Sequence, residues 1–279
     1  VSQDPLVQPT SLDDLTGETA TERDTRWTQY DWQLLASEPL MPVMQTALDE
    51  TLTFSVGRGD RKPTLRFWTW QGPCVVLGRF QSVRNEINED ELRAHDFDLV
   101  RRISGGGAMF IEPEGAITYS LYVPDGIATN LSFAQSYAFF DSWVIEGLRE
   151  LGVDAWYAPL NDITSSAGKV GGAAQARRGG AILHHTTMAY QMNLPLMSKI
   201  LRVGKEKLSD KGVSSAAKRV APLREQTDLD RDVIIHHLID HFRMKFGLAD
   251  STLTKAERAD AMERATNRFG TDAWTHFLP

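Results

Sequence analysis

A single cysteine, Cys74, stands among 279 residues, so no disulfide can form within the chain and packing alone must hold it together. No apolar run reaches the roughly 18 residues that a membrane-spanning helix needs. The first 26 residues carry no apolar core of the kind a signal peptide has. Basic residues are in deficit: 30 Lys and Arg against 37 Asp and Glu leave a formal charge of −7. That balance argues against a general nucleic-acid binder while allowing a local basic patch. These absences predict a cytoplasmic protein with neither a membrane nor a nucleic acid as partner.

Several catalytic signatures are missing too. There is no G-x-S-x-G elbow for serine chemistry and no G-x-G-x-x-G opening a helix. Gly168-Lys169 resembles the end of a P-loop, but Ile163 stands where the first glycine belongs. Val170 takes the place of the hydroxyl that would hold magnesium. His237 and His241 have i, i+4 spacing on a predicted helix, yet no Glu follows His237 as a zinc protease requires. Cys74 lies among Pro73, Val75, Val76 and Leu77, the setting of a buried, inert thiol.

What is present is a globular pattern with 42 % apolar residues, enough for a sizeable core. Residues 1–26 are rich in Asp, Glu, Thr and Ser, and their composition predicts a mobile extension. A main domain over 27–250 follows, then a helical segment over 251–279. Helical spacing marks 42–55, 88–95, 133–151 (ending at Gly152), 196–200, 230–246 and 254–269. Strand patterns occupy 64–70, 74–78, 116–123, 153–157 and 161–163, with a hairpin over 169–177 and 181–191. Hairpins interspersed with helices, without a regular βαβ series, predict an α+β fold.

Arg101-Arg102-Ile103-Ser104-Gly105-Gly106-Gly107-Ala108 is the most informative stretch. Three glycines permit close approach to the backbone and let successive N–H groups converge on an anion. Two arginines before them add charge. A second small-residue element, Gly168-Lys169-Val170-Gly171-Gly172-Ala173-Ala174-Gln175, offers a lysine to a phosphate or a polarised carbonyl. In the following strand His184 and His185 point to opposite faces, so they make a poor metal pair and only one can line a pocket.

In this order and at these separations, the blocks resemble the lipoate–protein ligase family, which shares its catalytic fold with biotin–protein ligases and octanoyltransferases. The resemblance runs from about Met41 to Gln226. It rests on Pro73–Gln81, the arginine–glycine run, Asn161-Asp162-Ile163, the Lys169 block and His184-His185-Thr186-Thr187-Met188. It implies an α+β domain with mixed and antiparallel sheets flanked by helices. It further implies activation of lipoate by ATP and Mg2+ to lipoyl-AMP, then transfer to a lysine of an acceptor lipoyl domain.

Carried over by motif, Lys169 is the catalytic residue. Arg79, Arg102, Ser104, Gly105, Gly106, Gly107, Ala108, Asn161, Asp162, Gly172, Ala173, His185 and Thr186 bind substrate or adenylate. Asp162 would also meet Mg2+ through the phosphates, and Phe80, Val76 and the residues around Met188 would supply an apolar slot. The sequence departs from many relatives at Phe110-Ile111-Glu112, where they have Tyr-His-Asp. The long accessory domain of single-chain ligases has no counterpart, which implies a separate accessory subunit. Thr164, Ser165, Ser166 and Ala167 occupy the stretch where cysteine-dependent octanoyltransferases carry their nucleophile. Alternatives are an ATP-independent octanoyl or lipoyl carrier acyltransferase, a non-catalytic lipoyl-binding protein, and biotin ligation, which is disfavoured because the glycine run lacks the arginine-rich loop usual in that family.

Overall fold

Alternation along Ala116–Pro124 sets the architecture: Ile117, Tyr119, Leu121 and Val123 point one way, Thr118, Ser120 and Tyr122 the other. Both sets are buried, so the strand is central and must be covered on both faces. In the computed structural model, which describes residues 11–202 and 220–278, this strand lies within an eight-stranded mixed sheet.

The chain begins with α1 (Leu12–Thr16) and α2 (Ala20–Thr28), then β1 (Gln33–Leu35) and β2 (Pro39–Leu40). Helix α3 (Pro42–Gly57) precedes β3 (Thr64–Phe67), β4 (Thr69–Trp70) and β5 (Cys74–Leu77). Two short helices, α4 (Val83–Glu86) and α5 (Glu89–Ala94), lead to β6 (Asp98–Arg101), β7 (Met109–Ile111) and β8 (Ala116–Pro124). Then come α6 (Phe133–Glu150), β9 (Ala155–Ala158), β10 (Asp162–Ser165) and the hairpin β11 (Gly168–Arg178) and β12 (Ala181–Ala189). The last described elements are α7 (Leu194–Ile200), α8 (Arg231–Phe246), β13 (Ala249–Ser251), α9 (Lys255–Arg264) and α10 (Asp272–Thr275).

The large sheet has the order β13-β1-β3-β8-β12-β11-β10-β9, and a small one the order β6-β5-β7. One face of the large sheet packs on α6 and α8 through Tyr119, Ile182, Met188, Phe140, Trp143 and Phe242. On the opposite face, α3 and the small sheet cover Ser120, Tyr122 and His185. Register fixes this division, because Arg66, Ser120, His185 and Ala174 stand opposite one another on four adjacent strands. The α+β expectation therefore agrees with the architecture. Helix α6 starts on a Ser132–Gln135 capping box, and Gly152 follows its end in the left-handed region at φ +81°.

Three expectations need correction. Residues 11–26 are not a mobile extension, although 1–10 lie outside the described residues. Helices α1 and α2 are capped by Ser11 and Thr19, and α2 runs into Trp27, which stacks on Phe139 and Phe246. That anchor, with Leu12 and Leu15 of α1 packed against the same core, supplies the apolar contact that the composition did not suggest. The predicted strand 64–70 divides at Trp68, with β3 joining the large sheet and β4 pairing with β2. The boundary drawn at 250/251 falls inside β13, which pairs with β1, and α9 packs back on α3.

Candidate active site

The glycine run forms the turn between β6 and β7. Arg102 leaves β6 buried, and its guanidinium is spent on the turn. Nε donates to Ser104 Oγ at 2.9 Å, Nη1 to the Val76 carbonyl at 3.1 Å, and Nη2 to the carbonyls of Gly105 and Gly107 at 2.6 and 2.9 Å. Arg102 thus braces the turn from beneath, where the sequence reading had placed it against the ligand. With those carbonyls drawn inward, no N–H from Ser104 to Gly107 donates to an acceptor among the described residues. Burial lowers the Arg102 pKa to about 10, so it stays charged at neutral pH.

Glycine is required at two points here. Gly106 sits at φ +87°, a region open to glycine without strain. Its carbonyl oxygen packs so closely on Gly78 that a Cβ there would lie 2.0 Å away. Gly107 and Gly106 are exposed, while Gly105 and Ala108 are half-buried. Arg79 does not point into the turn: its guanidinium carbon lies 4.2 Å from the ring centres of both Trp274 and Phe277. Only its backbone N–H serves the turn, donating to the Ser104 carbonyl at 2.8 Å.

Lys169 Nζ pairs with Asp162 Oδ1 at 2.8 Å, with Asp162 almost wholly buried and the lysine side chain 20 % exposed. The pair lies over Gly172, where an added Cβ would meet Nζ at 3.3 Å. A bulge at Val170 on β11, opposite the step from Ile163 to Thr164 on β10, brings the two residues together, pairing Thr164 with Lys169 but Asp162 with Gly172. Ala174 lies two residues beyond Gly172 on the same face, and a Cβ on Gly106 would be 3.8 Å from its methyl group. The glycine turn and the lysine block therefore border one surface. Asn161 serves β11, its Nδ2 donating to the Ala173 carbonyl at 2.6 Å.

Two predicted site residues are elsewhere. Ala173 joins the core under α6, and Thr186 Oγ1 donates to Asp141 at 2.9 Å on that same far side of the sheet. Met188, expected near the acyl slot, is likewise buried there. Strand alternation is the reason: 173, 186 and 188 have the parity opposite to 172, 185 and 187. Phe80 is 76 % exposed beside the turn, and Val76 is buried in the small sheet. Phe110 and Ile111 belong to the core around the small sheet, and Glu112 accepts from the Asn193 N–H at 3.0 Å.

His184 and His185 divide as strand geometry demands. His184 bonds Asp141 within the α6 core at 2.9 Å. His185 Nε2 lies 2.6 Å from Ser104 Oγ, and its Nδ1 lies 2.8 Å from Asp49 Oδ2 on α3. Burial lowers the His185 pKa against the pull of Asp49, so the ring is neutral at pH 7. Asp49 also accepts from Ser120 Oγ at 3.0 Å and from the Tyr122 hydroxyl, with Arg66 at 3.5 Å. The sequence reading missed Asp49. Its one signal was a carboxylate between the apolar positions Leu48 and Leu52 of a predicted helix, which has to find a buried partner.

Among the described residues no group of three or more His, Cys, Asp or Glu is arranged to hold a metal. His237 and His241 contact Glu150 at 3.0 and 3.1 Å. Cys74 is buried, and burial pushes its thiol pKa well up, which makes it a poor nucleophile. No described helix is long and apolar enough to cross a membrane.

The chain is similar over most of its length to several known proteins. Octanoyltransferase LipM of Brevibacillus brevis is 28 % identical over 87 % of this chain and 98 % of its own. The solved bi-partite lipoate protein ligase of Thermoplasma acidophilum, described with its E2 lipoyl domain, is 29 % identical. It superposes with a TM-score of 0.75 over 90 % of this chain and 97 % of that one. A lipoate-protein ligase A crystallised with ATP gives a TM-score of 0.75 at 26 % identity, covering 89 % of this chain and 100 % of that chain. The model of the lipoyl protein ligase A/B catalytic domain matches residues 41–243, which include the glycine turn, Asp162, Lys169 and His185, and the chain belongs to that family.

Proposed function

We propose that this protein is a lipoate–protein ligase: it activates lipoate with ATP and passes the lipoyl group to a lysine of an acceptor lipoyl domain. The observation that carries the reading is the Lys169–Asp162 pair at 2.8 Å, set over Gly172 beside a turn whose N–H groups face no protein acceptor among the described residues. A carboxylate approaching a triphosphate is repelled, and an ammonium with converging amides offsets that repulsion. Lys169 then stabilises charge on the acyl carbonyl and α-phosphate oxygens in both half-reactions. Gly105–Gly107 hold the adenylate against main chain, and Gly172 leaves room for the lysine to extend along β11.

Mg2+ usually binds through one or two carboxylates together with nucleotide phosphates, and Asp162 fits as such a carboxylate. The ion would add charge neutralisation at the phosphates. A structure of a ligase A bound with ATP supports nucleotide use, and the bi-partite Thermoplasma ligase supports a lipoyl-domain acceptor and an accessory subunit. The test is pyrophosphate release from lipoate and Mg·ATP, with and without a candidate accessory subunit. Lys169→Ala should abolish release while lipoate binding largely survives. Equal release by wild type and variant would overturn the reading.

The relative named octanoyltransferase favours a second reading, acyl transfer between carrier domains without ATP. The thiol route for it has little support, since Cys74 is buried in the small sheet and Thr164–Ala167 contain no cysteine. Acyl movement from an octanoyl thioester carrier to a lipoyl domain without ATP, with no pyrophosphate in the ligase assay, would decide for it.

A further inference from the structure

Both readings end in one step, the acylation of a lysine amine, and that step releases a proton. We propose that Ser104, His185 and Asp49 form the relay that takes this proton, with Ser104 Oγ as its entry atom. The inference rests on the site being an acyl-transfer site and holds for either acyl donor.

The direction of the relay follows from its hydrogen bonds. Neutral His185 donates through Nδ1 to Asp49 Oδ2 at 2.8 Å, which leaves Nε2 as an acceptor. The Ser104 hydroxyl therefore donates to Nε2 at 2.6 Å. Arg102 Nε donates to Ser104 Oγ at 2.9 Å and occupies one oxygen lone pair. The remaining lone pair can only accept, so the chain is wired to withdraw a proton from the site.

In the step itself, the amine nitrogen bonds to the acyl carbon while the bond to AMP oxygen, or to thiol sulfur, breaks. The leaving group departs with the electron pair. The amine proton passes to Ser104 Oγ as the serine proton moves to His185 Nε2, and Asp49 balances the imidazolium. Charged and titratable groups around the ring are Asp49 from α3, Arg102 from the turn, Arg66 on β3 and Tyr122 on β8 beside Asp49, and His184 on β12. The carboxylate favours the imidazolium, whereas Arg102 opposes it. Ser104 is only 1 % exposed, so the glycine turn must lift to admit the amine.

The experiment is single-turnover transfer from preformed lipoyl-adenylate to an E2 lipoyl domain and, separately, to hydroxylamine, which is largely unprotonated at neutral pH and small enough to give up its proton directly to water. His185→Gln should slow lysine acylation by about 10²-fold, in the range of general-base catalysis. It should slow hydroxylamine capture far less. The wild-type lysine rate should fall on the acid side, through a pKa below that of an ordinary histidine, and this limb should vanish in the variant. Asp49→Asn, a change at a positioning residue, should move the limb, and Ser104→Ala gives the same comparison if His185→Gln fails to fold. Equal slowing toward both nucleophiles, or an acyl group trapped on Ser104, overturns the relay alone. A wild type that acylates neither nucleophile overturns the acyl-transfer reading and the relay with it.

Discussion

Gly78→Ala tests the geometry of the site most directly. A Cβ at Gly78 would stand 2.0 Å from the Gly106 carbonyl oxygen and 3.0 Å from its carbon. Both atoms are backbone, so no side-chain rotation relieves the overlap, and either β5 or the glycine turn must retreat by about 1 Å. Overpacking of this kind costs about 1–3 kcal/mol. At about 2–4 °C per kcal/mol for a chain somewhat below this size, the melting temperature should drop by several degrees. Activity should fall further than stability, because a displacement near 1 Å in a reacting group costs about 10²-fold.

Two controls separate these effects. Gly57→Ala makes the same 2.0 Å overlap, but with the Gly179 carbonyl at the far end of the β11–β12 hairpin. It should lose comparable stability and much less activity. Gly72→Ala meets nothing within 4 Å and should match wild type in both. Thermal melts followed by circular dichroism and lipoyl transfer to a lipoyl domain below the melting range supply the readouts. A Gly78→Ala protein with wild-type melting and wild-type transfer would refute the argument that this contact sets the turn.

Further outcomes are expected. Burial raises the Glu257 pKa, but hydrogen bonds from Arg61 and Thr254 outweigh it and hold the carboxyl at about 2. Its stabilisation is thus present above the ordinary glutamate range and is lost as pH falls toward 2. Glu257→Gln should remove that part of the acid sensitivity in melts between pH 5 and about 2. The His241 pKa is raised by Glu146, with burial opposing and Glu150 assisting. Its contribution is full below the unfolded histidine pKa and disappears as pH rises through the higher folded value. His241→Gln should flatten the alkaline side of the stability profile near neutrality. Cys74 should resist alkylation by iodoacetamide in the native state, and Cys74→Ala should keep transfer activity, since no step proposed here uses the thiol; loss of transfer without loss of fold would reopen the thiol route.

Local chemistry made part of this protein legible in the sequence. Glycines at 105–107 and 172 and Lys169 stood out because close approach and charge demand particular residue types wherever they occur, whereas Asn161 and Asp162 entered only through the family resemblance. Hairpin β11–β12 and helix α6 were readable from alternation and from the Gly152 stop. Tertiary structure decided what parity and distance control. A single-residue alternation sent Thr186 and Met188 to the α6 core and His185 to the site, a division that needs the sheet's two covers to be known. Arg79 and Arg102 carry charge suited to phosphate. Only packing turned one onto Trp274 and Phe277 and the other under the turn. Asp49 lies 136 residues before His185, and no local pattern links them. Their contact exists because α3 crosses the polar face of the sheet, where a buried carboxylate must find donors.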